Sequence, residues 1–278
     1  MTDIKKLSAS APIGVFDSGV GGLTVVNEII SQIPSERIVY FGDTARVPYG
    51  GKSKETITMY AEQIVRFLLE QGVKAIVVAC NTASAYALDT LEKEIDIPII
   101  GVVKPGAKTA AETTKNGRIG IIGTEGTVGS RIYEQYISRI SPASHVVGKA
   151  CPLFCPLVEE GLLDDPVTDE IARRYLEGMK GSGIDTLILG CTHYPLIRTT
   201  IERVMGKDVA LVNPAWETAH ALKDLLTEEG ILNPEAGDAD LKKHRFYVSD
   251  SAEKFGRFAS TVLKYEGISA ETVRIEEY

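Results

Sequence analysis

Ala75-Ile76-Val77-Val78-Ala79 runs directly into Cys80-Asn81-Thr82-Ala83, and Leu187-Ile188-Leu189-Gly190 runs into Cys191-Thr192-His193-Tyr194-Pro195. Short continuous apolar runs of this kind fit strands of a parallel sheet buried on both faces. The pattern recurs at Ile13-Gly14-Val15-Phe16, Ile38-Val39-Tyr40-Phe41, Ile97 to Val102, Ile119-Gly120-Ile121-Ile122 and Ala210-Leu211-Val212. Helical stripes lie between the runs. Glu55 to Gln71 carries Ile57, Tyr60, Ile64, Phe67 and Leu68 on one face, and 167–179 and 216–227 carry similar stripes. The alternation predicts an α/β fold of mainly parallel sheet flanked by helices, with right-handed crossovers.

The chain has 278 residues, room for two modest domains. Pro and Gly punctuate the pattern at Lys104-Pro105-Gly106 and at Asn213-Pro214. Cuts there separate a middle domain, 105–213, from a first domain built of 1–104 plus 214–278. A strand at Arg245-Phe246-Tyr247-Val248 and a helix from Ala252 to Lys264 are expected to return to that first domain.

A net charge of −8 without a long Lys/Arg cluster argues against nucleic acid as the main partner. No apolar run reaches the ~18–20 residues of a membrane span. Met1 to Ser8 has no apolar core of a secretory signal, so a soluble, cytoplasmic protein is expected. Four cysteines are too few for a disulfide framework, so each is core filler, metal ligand or reactive thiol.

Both strand-end cysteines sit where ligands bind in open α/β sheets, beyond the carboxyl ends of the strands. Each precedes a helix start: Asn81 or Thr82 can cap the first helix, and Pro195 suits the first turn of the second. A free thiol with a pKa of about 8.5 is lowered by such placement, so both can act as bases. One cysteine alone is as readily a small buried hydrophobe. Two in matching contexts point to function.

Other polar groups stand at strand ends. Asp17-Ser18-Gly19-Val20-Gly21-Gly22 is a glycine-rich turn able to hold an anion, without the spacing of a dinucleotide loop. Asp17 can hold an ammonium group or orient a thiol; otherwise it caps a helix or closes an Asx turn. Gly42 to Gly50 leaves another strand as a pocket wall or an ordinary loop. His193, two residues after Cys191, can pass a proton to or from it. Cys151 and Cys155 have the C-x₃-C spacing of some zinc sites, but prolines and apolar neighbours favour packing. Glu159, just beyond them, is the more useful carboxylate, with Glu160 as the alternative.

The strings Asp17 to Leu23, Gly42 to Gly50, Ala79 to Ala83 and Leu189 to Pro195 together closely resemble the glutamate racemase family, over nearly the whole chain. The resemblance implies two pseudosymmetric α/β domains with the active site in the cleft between them. It implies interconversion of L- and D-glutamate without pyridoxal phosphate, other cofactor or metal, and D-glutamate supply for peptidoglycan. It makes Cys80 and Cys191 the acid/base pair, assisted by Asp17, Glu159 and His193. Ser18, Tyr49, Gly50, Asn81, Thr82 and Thr192 hold the substrate beside Asp17 and His193. A homodimer is expected on the same ground. Asn213-Pro214-Ala215-Trp216 departs from the more Asp-Ser-like turn of many relatives.

Overall fold

The computed structural model describes residues 8–235 and 241–278; the N-terminal stretch read for a secretory signal lies, Ser8 excepted, outside them. The strands are β1 (Ile13–Asp17), β2 (Ile38–Gly42), β3 (Ala75–Val78), β4 (Ile99–Gly101), β5 (Arg118–Gly123), β6 (His145–Ala150), β7 (Thr186–Gly190), β8 (Ala210–Val212), β9 (Arg245–Val248) and β10 (Glu271–Thr272). They form two parallel sheets, ordered β10-β9-β2-β1-β3-β4 and β6-β5-β7-β8. The fold is α/β, with helices on both sheets.

Apolar side chains leave both faces of each sheet, which is why the strands read as continuous hydrophobic runs. Ile13, Val15, Ala75 and Val77 enter one core, while Phe16, Ile76 and Val78 enter another on the opposite face. In the second sheet Ile122, Leu187 and Leu189 face one way and Ile119, Ile121 and Ile188 the other. Each fully buried Val, Leu, Ile or Phe side chain among them contributes about 1.5–3 kcal/mol of apolar transfer energy.

The two sheets repeat one plan: β2-β1-β3-β4 has the connectivity of β6-β5-β7-β8. In each, the chain leaves its first strand to one side and later returns to the other, creating a switch point between β1 and β3 and between β5 and β7. Crevices at such points are where ligands bind. The register makes the equivalence quantitative. Ile13 pairs with Ala75 and Ile119 pairs with Thr186. Cys80 and Cys191 each lie five residues beyond those partners.

The structure differs from the sequence reading at several joints. Helix Val103–Thr113 runs through Lys104-Pro105-Gly106 instead of breaking there. Pro105 lies in the first turn, whose N–H groups have no intrahelical partner, so it costs no helix bond. Asn213 does mark a junction: its side chain accepts from Ala215 N at 3.1 Å and Pro214 opens helix Pro214–Glu228. The tail strand β9 pairs with β2 in the first sheet. Among the described residues no helix is long and apolar enough to cross a membrane.

Candidate active site

Cys80 follows β3 and is itself the N-cap of helix Asn81–Tyr86, its Sγ accepting from Ala83 N at 3.5 Å. The cap is therefore neither Asn81 nor Thr82, because the thiol already occupies the extended position before the helix. Cys191 follows β7 and leads into a 3₁₀ turn, Tyr194–Ile197, with Pro195 in its first turn, ahead of helix Arg198–Met205. Cys80 and Cys191 are 5% and 6% exposed. Both line one cavity of about 60 Å³, together with Ser18, Tyr49, Gly50, Asn81, Thr82, Thr192, His193 and Glu159. A larger cavity, about 430 Å³, lies on the far side of Glu159, lined by Glu160, Lys254 and Phe258 among others. It contains neither thiol, so the smaller cavity is the candidate for chemistry.

Around Cys191 the polar groups form a chain. Sγ stands 3.7 Å from His193 Nδ1, and His193 Nε2 stands 3.1 Å from Glu159 Oε1. Lys254 Nζ, from helix Ala252–Leu263, stands 3.6 Å from the other Glu159 oxygen. Burial disfavours the imidazolium, but hydrogen bonds to Cys191 and Glu159 and the charges of Cys191 and Asp17 outweigh it. They hold the His193 pKa up at about 10. The His193 hydrogen bond holds Glu159 below its ordinary range, against partial burial. Glu160 caps the end of helix Phe154–Glu159, so Glu159 is the carboxylate in this chain of contacts.

Around Cys80 the neighbours are different. Asp17 ends β1, fully buried, and accepts from Gly19 N at 3.1 Å. Burial raises its pKa, against the His193 charge and the N–H groups of Gly19, Gly22 and Ser18. Burial and the Asp17 charge push the Cys80 thiol up to about 12, with smaller opposing contributions from Ala83 N–H and Ser18. At Cys191 the hydrogen bond to Cys155 and burial raise the thiol pKa while His193 lowers it, the net direction being up. The expectation that helix starts lower both thiols is not met. Complete burial and neighbouring acidic groups exceed the effect of one short helix end.

The residue after each cysteine reaches toward the other sheet. Tyr133 hydroxyl donates to Asn81 Oδ1 at 2.7 Å, and Thr192 hydroxyl donates to Asp17 Oδ1 at 3.4 Å. Thr82 and Thr124 hydroxyls meet at 2.8 Å, and Gly126 N donates to Gly50 O at 2.8 Å. Close packing accompanies these bonds. A Cβ on Gly21 would stand 2.4 Å from Thr192 Oγ1 and 2.6 Å from His193 Nδ1. Tyr49 lines the cavity with its ring, but its hydroxyl donates to Asp43, which also accepts from Arg46 and Ser249. Asp43 thereby fixes the loop that ends at Gly50.

The C-x₃-C pair is not one packed unit. Cys151 is fully buried, its thiol 3.6 Å from Lys149 O. Cys155 turns into the cavity, its Sγ 3.5 Å from Cys191 Sγ. One turn of helix Phe154–Glu159 brings Cys155 to the second thiol and Glu159 to His193 beside it. Tyr133 and Thr124 also went unread, since nothing local marks residues whose partners lie on the other sheet.

Paired thiols at the switch points of two like sheets, lining one cavity, are groups able to carry acid–base chemistry on a small molecule. Residues 13–222 match the family described as Asp/Glu/Hydantoin racemase, and the chain belongs to that family. Among its relatives is the glutamate racemase of Geobacter metallireducens, 50% identical over 251 residues, which cover 90% of this chain and 92% of that one. A crystal structure of a Bacillus anthracis glutamate racemase isoform superposes with a TM-score of 0.90 at 42% identity, covering 95% of this chain and 97% of that one. A Francisella tularensis glutamate racemase in complex with D-glutamate gives 0.89 at 38% identity, covering 97% and 100%.

Proposed function

We propose that this protein is a cofactor-independent glutamate racemase that interconverts L- and D-glutamate with Cys80 and Cys191 as a two-base pair. The observation carrying the proposal is the pair of buried thiols at equivalent register positions, both lining one cavity. Inverting an α-carbon requires taking its proton from one face and returning a proton to the other. One group would have to swing around the substrate; two need only exchange roles. With one enantiomer Cys80 is the thiolate and Cys191 the thiol, and with the other the arrangement is reversed.

Cys80, pushed up to about 12, is a thiol in the free protein at neutral pH. The substrate ammonium, held at Asp17, brings a positive charge that offsets the Asp17 charge and favours the thiolate. His193, supported by Glu159, exchanges the proton of Cys191. The developing carbanion is stabilised by donors held in place before the substrate arrives, among them the N–H groups at Asn81, Thr82 and the Gly19–Gly22 turn. Ser18, Tyr49, Gly50, Asn81, Thr82 and Thr192 hold the substrate. The cavity divides a first domain, 1–102 with 214–278, from a second that opens with helix Val103–Thr113, packed on the second sheet, and runs to 213. The protein works in the cytoplasm as a homodimer and supplies D-glutamate for peptidoglycan.

The test is purified protein, L-glutamate and no added cofactor, in D₂O. D-Glutamate carrying deuterium at the α-carbon is expected; absence of D-glutamate from well-folded protein overturns the reading. Light scattering on the same sample checks the dimer.

A further inference from the structure

Cys155 has no part in the two-thiol scheme, yet its sulfur stands 3.5 Å from that of Cys191. His193 Nδ1 stands 3.7 Å from Cys191 on another side, and one ligand atom from each of the three residues lies within 4.8 Å of the other two. Zn–S bonds of about 2.3 Å and Zn–N bonds of about 2.05 Å in a tetrahedron place two sulfurs about 3.8 Å apart, and sulfur and nitrogen about 3.6 Å apart. The separations involving Cys191 are already close to those values. Cys151, held against Lys149 O in the core, stays outside the group.

The surroundings suit an ion as well. Glu159 engages His193 Nε2 at 3.1 Å. A carboxylate on the far nitrogen holds the Nε2 proton, so that once its own proton is displaced Nδ1 is the atom that ligates, as in carboxylate–histidine–zinc triads. Two thiolates and one imidazole are a donor set for thiophilic or borderline ions, not for Mg²⁺ or Ca²⁺. The cavity lined by Cys155, Cys191 and His193 leaves the fourth position for water.

We propose that Cys155, Cys191 and His193 form a binding site for one thiophilic divalent cation, Zn²⁺ or Cd²⁺, whose entry reversibly removes Cys191 from catalysis. The inhibitory clause rests on the racemase reading; the site does not. In binding, the ion displaces the protons of both thiols and the Nδ1 proton of His193 and forms two metal–sulfur bonds and one metal–nitrogen bond, with no change of oxidation state.

The experiment titrates reduced, metal-free, full-length protein with Cd²⁺ and follows the thiolate-to-metal charge-transfer band. One ion per chain with the intensity of two thiolates is expected. Cys155→Ser and Cys191→Ser should each remove half the band or more, and Cys151→Ser, checked for folding by circular dichroism, should leave it intact. Glu159→Gln should weaken Zn²⁺ competition about 10–100-fold. A band insensitive to Cys155→Ser, a one-thiolate intensity, or the absence of saturable binding overturns the site. Racemisation should fall in proportion to occupancy and return with a chelator. Full activity at saturating occupancy overturns the inhibitory clause and the role of Cys191 while leaving the spectroscopic site standing.

Discussion

The Cys80 and Cys191 corners occupy the same register position in two sheets of the same order, but their surroundings differ. Cys80 stands near the buried carboxyl of Asp17 and two hydrogen-bonding neighbours, Ala83 N–H and Ser18, with no imidazole attached. Cys191 opens a relay that runs through His193 and Glu159 to the exposed Lys254, with Cys155 as a second thiol beside it. The repeated backbone supplies two equivalent places for sulfur. In the proposed mechanism the side chains around each decide how its proton arrives and leaves: by a built-in relay at Cys191, and with the help of the substrate's own charge at Cys80.

Removing either thiol should have the largest effect. Cys80→Ala and Cys191→Ala are each expected to lower racemisation by about 10²–10⁴, the usual contribution of a positioned acid or base. Cys80→Ser and Cys191→Ser should retain α-proton exchange in D₂O with opposite enantiomeric preference. Wild-type racemisation by either Ala variant, measured by polarimetry, would break the pairing of the two corners.

Gly21 tests how tightly the Asp17 turn fits against the Cys191 loop. Gly21→Ala should displace Thr192 or His193, since the new Cβ falls 2.4–2.6 Å from their atoms. Such overpacking costs about 1–3 kcal/mol. Gly178→Ala, inside helix Pro166–Lys180 with nothing within 4 Å, is the control. It should stabilise by up to about 1 kcal/mol. Urea denaturation compares them, and equal stability of the two variants would show that the turn yields freely.

The strands that carry this comparison were legible because burial on both faces writes itself as an uninterrupted apolar run, as at Ile76-Val77-Val78 and Leu187-Ile188-Leu189. β6 was not, since His145–Ala150 is a half-exposed edge strand whose side chains need not be apolar. β10 has two exposed residues and, among the described residues, one strand neighbour. The punctuation rule also misread Lys104-Pro105-Gly106, where proline is tolerated in a first helical turn. At the site, the motif residues were found from their strand-end positions. Cys155 read as packing because only the turn of Phe154–Glu159 aims it at Cys191, and the thiol pKa directions read the wrong way because spacing does not reveal burial.

The relay at Cys191 should also give the protein a pH signature. Glu159 is depressed from 4.5, so its contribution to stability is present above that value and is lost as pH falls through its folded pKa. His193 is raised from 6.5 to about 10, so its contribution is complete below 6.5 and fades as pH rises through about 10. The pair therefore stabilises fully between those ordinary values. Glu159→Gln should cost about 1–2 kcal/mol at pH of about 6, after allowance for the partial exposure of Glu159. The difference from wild type in Tm should shrink toward pH of about 10. A difference independent of pH would mean that the contact is not ionic.

Thr124 gives the smallest and most local test. It follows β5 at the position where Ser18 follows β1, but the two hydroxyls serve different ends. Ser18 supports Cys80 of its own sheet, whereas Thr124 meets Thr82 from the other sheet at 2.8 Å. Thr124 also caps helix Glu125–Gly129 by accepting from Thr127 N at 3.1 Å. Thr124→Val should therefore cost about 1 kcal/mol, the usual effect of losing such a cap. Thr124 lines the cavity, but its hydroxyl bonds to Thr82 and Thr127 and not to a thiol, so the loss in racemisation should stay below about tenfold. Thr124→Ser keeps the cap and the bond to Thr82 and should recover both quantities. If Ser recovers stability alone, the methyl packed against Gly50 is needed as well as the hydroxyl to hold the two strand ends at their working separation.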